Sequence, residues 1–363
     1  MLLGMQRRDF LKASAMAGTA AALASATHAA ALGITPPSRS LRVPYSGLKA
    51  KRLKAGDTVG LVAPASAINQ DVEVDIARES LEGLGLKVKI GQHLRDKHGY
   101  LAGDDKARAD DINRFFKDDD LAGVIAIRGG WGSARLLPYV DFDAIRKNPK
   151  VFMGYSDITA LHNAIQAKTG LITFHGPIGL GRWDAWSVNW LKRVLFDAEA
   201  VTMSNKKDLS ERNSLTQVDN RTRTITAGKA RGKMMGGNLT VLTSILGSSF
   251  VPDYSGAILF LEDVQENLYR IDRMLTSLKL AGILDKAKGV IFGMCSQCSP
   301  GNDNYSALTL EEILEDHIKS LGVPAWQGAM IGHDTPQWTV PFGLDVEIDA
   351  KACTVTMTEP GVA

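Results

Sequence analysis

The chain has 363 residues, 45% hydrophobic and 23% charged, the composition of an ordinary water-soluble protein long enough for two domains. Its formal charge of +2 resides in residues 1–31, where Arg7, Arg8 and Lys12 face only Asp9, so the remainder balances at 39 basic and 39 acidic residues. Neutrality without basic clusters interleaved with aromatics gives no reason to expect nucleic acid as a partner, and no run beyond residue 31 is apolar enough for stable membrane insertion.

Residues 1–31 read as an export leader. Gln6-Arg7-Arg8-Asp9-Phe10-Leu11-Lys12 precedes a weakly hydrophobic Ala/Gly stretch and two small-residue sites, Ala24-Ser25-Ala26 and Ala29-Ala30-Ala31, that fit signal peptidase. The pattern resembles a bacterial twin-arginine signal and predicts a periplasmic protein. Residues 32–50, with Pro36, Pro37 and Pro44, predict an extended linker.

From Gly56 short β-branched runs alternate with helical stretches. Strands are predicted at Thr58–Ala63, Lys87–Ile90 and Gly123–Ile127, helices at Asp71–Leu84 and Asp104–Phe116. Such alternation predicts a parallel sheet covered by helices, in which ligands bind beyond the carboxyl ends of the strands. Between Trp186 and Thr226 the apolar periodicity fades and polar residues crowd together, which predicts an interdomain connection. The expected division is therefore a first domain over 51–185, a connection over 186–226 and a second domain over 227–363. The second has predicted strands at Ala257–Leu261 and Gly289–Gly293 and helices at Asn267–Ala281 and Thr309–Leu321.

Three turns fall at strand ends of the first domain: Ala63-Pro64-Ala65-Ser66, Arg128-Gly-Gly-Trp-Gly-Ser133 and Gly154-Tyr-Ser-Asp157; Phe174-His-Gly-Pro177 is a fourth candidate. The Arg128 turn lacks the endings of phosphate and dinucleotide loops. Its glycines instead let a backbone amide approach a ligand closely, as one half of an oxyanion hole at Gly130 with the amide of Asp157 as the other. Lys233-Met-Met-Gly236-Gly237-Asn238-Leu239 reads as a packing turn before a helix. Cys295-Ser-Gln-Cys298 has redox-motif spacing but neither the helix-start context nor further zinc ligands, so structural thiols or a disulfide are expected and no metal or cofactor is.

Ser156 sits where an apolar strand-like run stops and an amphipathic helix begins. It either caps that helix or is presented as a nucleophile by a tight strand-to-helix turn. A nucleophile needs a base. His162 lies over a turn beyond Ser156 and points away from the helix start; His317, in an acidic stretch, reads as solvated. His175 and His333 both occupy glycine-flanked loops after apolar strands, and residue placement leaves the two open. Glu262, at the end of the strand Ile258–Leu261, is a carboxylate placed to orient an imidazole, with Asp263 directed to the opposite side.

Taken in order, these turns resemble one family, the LD-carboxypeptidases or muramoyltetrapeptide carboxypeptidases, together with the related microcin C self-immunity peptidases. The motifs are Gly56-Asp57 with Val62-Ala-Pro-Ala-Ser66, the Arg128 glycine loop, Gly154-Tyr-Ser-Asp-Ile-Thr-Ala-Leu161, His175-Gly-Pro177, Gly236-Gly-Asn-Leu239, Leu261-Glu-Asp263 with Tyr269-Arg-Ile-Asp-Arg-Met-Leu275, and Gly332-His333. The resemblance runs from Lys54 to Pro341. It implies a Ser156–Glu262–His333 triad, with His175 supporting the nucleophile domain. It also implies an amino-terminal Rossmann-like domain similar to class I amidotransferases, a carboxy-terminal β/α domain, an active site between them and a homodimer. Two departures are Trp131 where the family usually has tyrosine, and Gly293-Met-Cys-Ser-Gln-Cys298 in place of Gly-Asp-Phe-x-x-Cys.

The reading that follows is a metal-independent serine carboxypeptidase that releases terminal D-alanine from a murein peptide. Two alternatives stand beside it. An immunity-type peptidase acting on a peptidyl or aminoacyl nucleotide would use an aromatic platform, for which Trp183, Trp186 and Trp190 are candidates. A non-enzymatic periplasmic binding protein would not need Ser156, Glu262 and His333 to converge.

Overall fold

The computed structural model describes residues 47–207, 216–217, 220–301 and 308–363; the leader, most of the linker and part of the expected connection lie outside the described residues. From Thr58 the chain runs β1 (Thr58–Val62), α1 (Val72–Gly83), β2 (Lys87–Ile90), α2 (Asp105–Lys117), β3 (Leu121–Ala126), α3 (Phe142–Lys147), β4 (Val151–Gly154), α4 (Thr159–Thr169) and β5 (Thr173–His175). Helix α2 shows why these segments fold locally. The Asp104 carboxylate accepts the Ala107 N–H as an N-cap, Ile112, Phe115 and Phe116 form the inward stripe, and Arg114 and Lys117 complement the carboxyl end of the dipole. Strands β1 to β5 are mutually parallel in the order β5-β4-β3-β1-β2. The order reverses between β1 and β3, so the crevice at their carboxyl ends is the topological switch point.

Helix α5 (Ala185–Leu195) then buries Trp190, Leu191, Val194 and Leu195 on one face. The apolar spacing thus persists to Leu195, past Trp186, where it was expected to fade; Asn189, Lys192 and Arg193 on the outer face dilute it in the sequence. After β6 (Thr202–Met203) come β7 (Arg223–Thr226), β8 (Lys229–Asn238), α6 (Leu239–Ser244), β9 (Ile258–Val264), α7 (Leu268–Leu280), β10 (Gly289–Ser296), α8 (Leu310–Ile318), β11 (Ala325–Gln327), β12 (Val340–Phe342), β13 (Asp345–Asp349) and β14 (Thr354–Met357). The second sheet has the order β6-β14-β13-β8-β9-β10-β11-β7, parallel from β8 through β11 and antiparallel at both flanks. Strand β12 is the exception: it crosses to the first sheet and pairs antiparallel with β5, Val340 opposite His175.

The fold is therefore mixed α/β, with a largely parallel first sheet, as the strand–helix alternation predicts, and a mixed second sheet whose centre is parallel. One local expectation is corrected. Lys233–Asn238 is not a turn but the carboxyl half of β8, paired with β9 and β13. Two consecutive glycines there carry no side chains and so show no period-2 pattern in the sequence.

Helix α4 joins the sheets. Every residue from Thr159 to Gln166 is buried, on all faces. Thr159 Oγ1 accepts the Asn238 N–H at 2.9 Å and the Asn163 amide donates to the Gly236 carbonyl at 3.2 Å, so the helix that begins just after Ser156 is bonded to the end of β8.

Candidate active site

Strand β4 is buried throughout and ends at Gly154. Tyr155 continues extended, and Ser156 then turns to φ +65° before a short 3-10 turn leads into α4. A non-glycine residue in the left-handed region costs about 1–3 kcal/mol and persists only where its surroundings impose it. Those surroundings are specific. The Gly154 carbonyl accepts from His162 Nε2 at 2.8 Å and from the Gly176 N–H at 3.2 Å, while the Thr173 hydroxyl donates to His162 Nδ1 at 2.8 Å. Ser156 does not cap α4; its hydroxyl lies 2.9 Å from His333 Nε2.

The glycine loop is fastened from two sides, to this turn and to the segment after β1. The Asp157 carboxylate accepts the Ser133 N–H at 2.7 Å, and the Ser133 hydroxyl donates to the Asp157 carbonyl. Burial raises the Asp157 pKa even against these bonds. On the other side Ser66, after β1, accepts the Trp131 N–H at 3.0 Å. Gly130 sits at φ +107° with Ser66 Oγ only 2.0 Å from where a Cβ would stand, so no other residue fits there. Gly130, Ser156, Asp157 and His333 line one cavity of about 710 Å³.

Glu262 lies in β9 opposite Asn238 of β8 and is fully buried. Its Oε2 is 2.9 Å from His333 Nδ1. His333, in the loop between β11 and β12, thus bonds Glu262 through one ring nitrogen and Ser156 through the other. Burial pulls its pKa down, but the hydrogen bond and charge of Glu262, with Asp263 and Asp334 behind, more than offset this and leave it raised. The Tyr155 ring stands edge-on to the imidazole at 5.0 Å, and burial together with the Glu262 charge pushes its hydroxyl pKa up to about 12. Asp263 is directed elsewhere: it accepts from Asn238 and Thr240, and burial with the Glu262 charge raises it to about 6.

The structure brings Ser156, Glu262, His333, Gly130 and Asp157 together and leaves His175 aside. His175 is buried between Tyr155 and Phe260 at centroid distances of 6.0 and 5.3 Å, and burial drives its pKa well below the ordinary imidazole value. His162 is missed by the sequence analysis as a support of the nucleophile turn. It does point away from the start of α4, but that direction places it under the end of β4, a relation set by helix-on-sheet packing. His317 is corrected from solvated to paired, its Nε2 2.6 Å from Asp272. Cys295 and Cys298 form a disulfide.

The tryptophans at 183, 186 and 190 line neither cavity at Ser156. Trp183 donates to the Gly179 carbonyl at 3.1 Å, and Trp186 packs edge-on to Trp190 at 5.5 Å. The aromatics at the rim are Trp131 and Tyr100, both about two-thirds exposed and 6.2 Å apart, a pairing without a sequence signal. Among the described residues no group of three His, Cys, Asp or Glu side chains is placed to hold a metal ion.

Residues 59–176 match the LD-carboxypeptidase N-terminal domain and residues 231–348 its C-terminal domain. The chain belongs to the LD-carboxypeptidase family. Family membership makes it a hydrolase of the carboxypeptidase class. It is 41% identical over 322 residues to a probable murein peptide carboxypeptidase of Bacillus subtilis, covering 87% of this chain and 95% of that one. It is 30% identical to the microcin C7 self-immunity protein MccF of Escherichia coli, covering 86% and 96%. Among solved structures, MccF in complex with glutamyl sulfamoyl guanosine superposes with a TM-score of 0.78 at 28% identity, over 87% of this chain and all of that one. The muramoyltetrapeptide carboxypeptidase of Oxalobacter formigenes gives 0.71 at 28% identity, over 84% and 99%. Residues 4–24 match a twin-arginine translocation signal, so the chain carries an export signal of that pathway.

Proposed function

We propose that this family member is a serine-dependent LD-carboxypeptidase of the periplasm that hydrolyses the amide before the terminal D-alanine of murein tetrapeptides. The observation that carries the reading is the double engagement of His333, 2.9 Å from both Ser156 Oγ and Glu262 Oε2. Ser156 Oγ attacks the scissile carbonyl carbon as His333 Nε2 takes its proton. The amides of Gly130 and Asp157 stabilise the resulting oxyanion, and Glu262 holds the imidazole and stabilises its cation. The tetrahedral intermediate collapses with cleavage of the C–N bond, His333 giving its proton to the leaving amine. Water, deprotonated by His333, then hydrolyses the acyl ester and restores Ser156.

The murein substrate is supported by the 41% identical Bacillus relative. The immunity-type alternative loses support because the candidate tryptophans line neither cavity at Ser156. A non-catalytic binding protein gives no reason for a strained serine to face an imidazole. Incubating the mature protein with a murein tetrapeptide and weighing the products tests the proposal. Loss of one D-alanine, absent with Ser156→Ala, is expected; an intact tetrapeptide with the wild type would refute it.

A further inference from the structure

A carboxypeptidase must distinguish a free terminal carboxylate from the amide that continues a longer peptide, and a cation beside the nucleophile is the direct way to do so. Two cavities open on Ser156 and His333. The larger, about 710 Å³, carries the carboxylates of Asp263 and Glu266 on its wall. Its arginine, Arg135, is already engaged, donating Nε to both oxygens of Asp105 at 3.0 and 3.2 Å. The smaller, about 290 Å³, is lined by Arg128 together with Ile178 and Leu180.

Arg128 is half-buried, and among the described residues it has no carboxylate within ion-pair distance; its NH1 donates to the Ala67 carbonyl at 3.0 Å. Glu73 is the one carboxylate on this cavity's lining; it accepts the backbone N–H groups of Asn69 and Gln70 at 2.6 and 3.4 Å and makes no ion pair with Arg128. The residue after Arg128 abuts the nucleophile: a Cβ on Gly129 would stand 3.1 Å from Ser156 Oγ. A guanidinium without a counter-ion, partly shielded from water and one residue from this contact, is a site for an anion. The larger cavity, with Asp263 and Glu266 against the single Glu73 of the smaller and with its arginine already paired, is the less favourable place for one.

We propose that Arg128 binds the terminal carboxylate of the leaving D-amino acid in the smaller cavity, which places the acyl side of the peptide in the larger one. Ile178 and Leu180 supply apolar contact for a small side chain such as the alanine methyl. The inference rests on the carboxypeptidase reading above and assigns that site its direction.

The test compares kcat/KM for a murein tetrapeptide ending in a free D-alanine carboxylate with that for the same peptide as its terminal carboxamide. The wild type should prefer the acid by about 100-fold or more, since a buried charge-assisted contact is lost in the amide. Arg128→Gln should lose about that factor on the acid and little on the amide, so that the preference collapses to a few-fold. Arg128→Lys should fall between, and Arg135→Gln should keep the preference. Labelling of Ser156 by a fluorophosphonate reports in each variant that the nucleophile turn is formed. A preference that persists in Arg128→Gln, or disappears in Arg135→Gln, overturns the assignment while leaving the carboxypeptidase reading intact. A wild type that cleaves neither peptide removes that reading, and this inference with it.

Discussion

His333 Nε2 lies 2.9 Å from Ser156 Oγ although 177 residues separate them in the chain. Ser156 follows a strand of the first sheet, and His333 lies between β11 of the second sheet and β12, which returns to the first. The contact therefore reports that both sheets are correctly assembled, and catalysis depends on it.

Ser156→Ala and His333→Ala should each lower turnover by about three orders of magnitude or more while leaving the fold intact, and the double variant should be little worse than either. Steady-state kinetics with circular dichroism as the folding control measures this. Near-normal turnover by Ser156→Ala would end the nucleophile assignment.

The acid limb of the pH profile should lie above the ordinary imidazole value of 6.5, because the raised His333 must be neutral to accept the Ser156 proton. Activity is thus lost as pH falls through the raised value. Glu262→Gln keeps the shape and removes the charge that raises it, so burial then dominates. The limb should move to lower pH, with a smaller loss of turnover than in the Ser156 and His333 variants. A limb that does not move would show that Glu262 does not govern His333.

His162 should be a determinant of stability. Removing it by His162→Ala opens a cavity and leaves the Gly154 carbonyl and Thr173 hydroxyl short of partners, at a cost of about 2–4 kcal/mol by denaturant unfolding. Burial, partly opposed by the Gly154 bond, lowers its pKa from 6.5 to about 4 in the folded protein. The unfolded chain therefore binds the extra proton first as pH falls. The stability due to a neutral His162 is complete above 6.5 and declines toward about 4, by about 1.4 kcal/mol per unit. An unfolding free energy whose slope across that window is unchanged in His162→Gln would contradict this.

Export should depend on the paired guanidinium groups. Arg7→Lys with Arg8→Lys should retain the full-length chain in the cytoplasm, whereas the wild type should be found in the periplasm beginning at Thr27 or Leu32. Fractionation with amino-terminal sequencing decides; wild-type protein confined to the cytoplasm with its leader intact would refute the location.

Much of this molecule is local and so was legible in the residues. The alternation from Thr58 to His175 is a matter of periodicity and caps, and Asp104 and Thr309 stand at the helix starts they cap. The leader is legible for the same reason, as is the strand-to-turn-to-helix pattern around Ser156, since each depends on a few consecutive side chains. What residues alone left open was which histidine meets Ser156. His175 and His333 occupy similar glycine-flanked loops, and only strand order separates them: His175 ends β5 and faces the buried Phe260, while His333 precedes the strand that crosses between sheets. The support of the turn by His162, the β-strand at Lys233–Asn238 and the pairing of His317 with Asp272 were likewise decided by tertiary packing. Each is a contact between elements distant in sequence, formed because burial forces polar groups to find partners wherever the sheets bring them, and no local pattern encodes that choice.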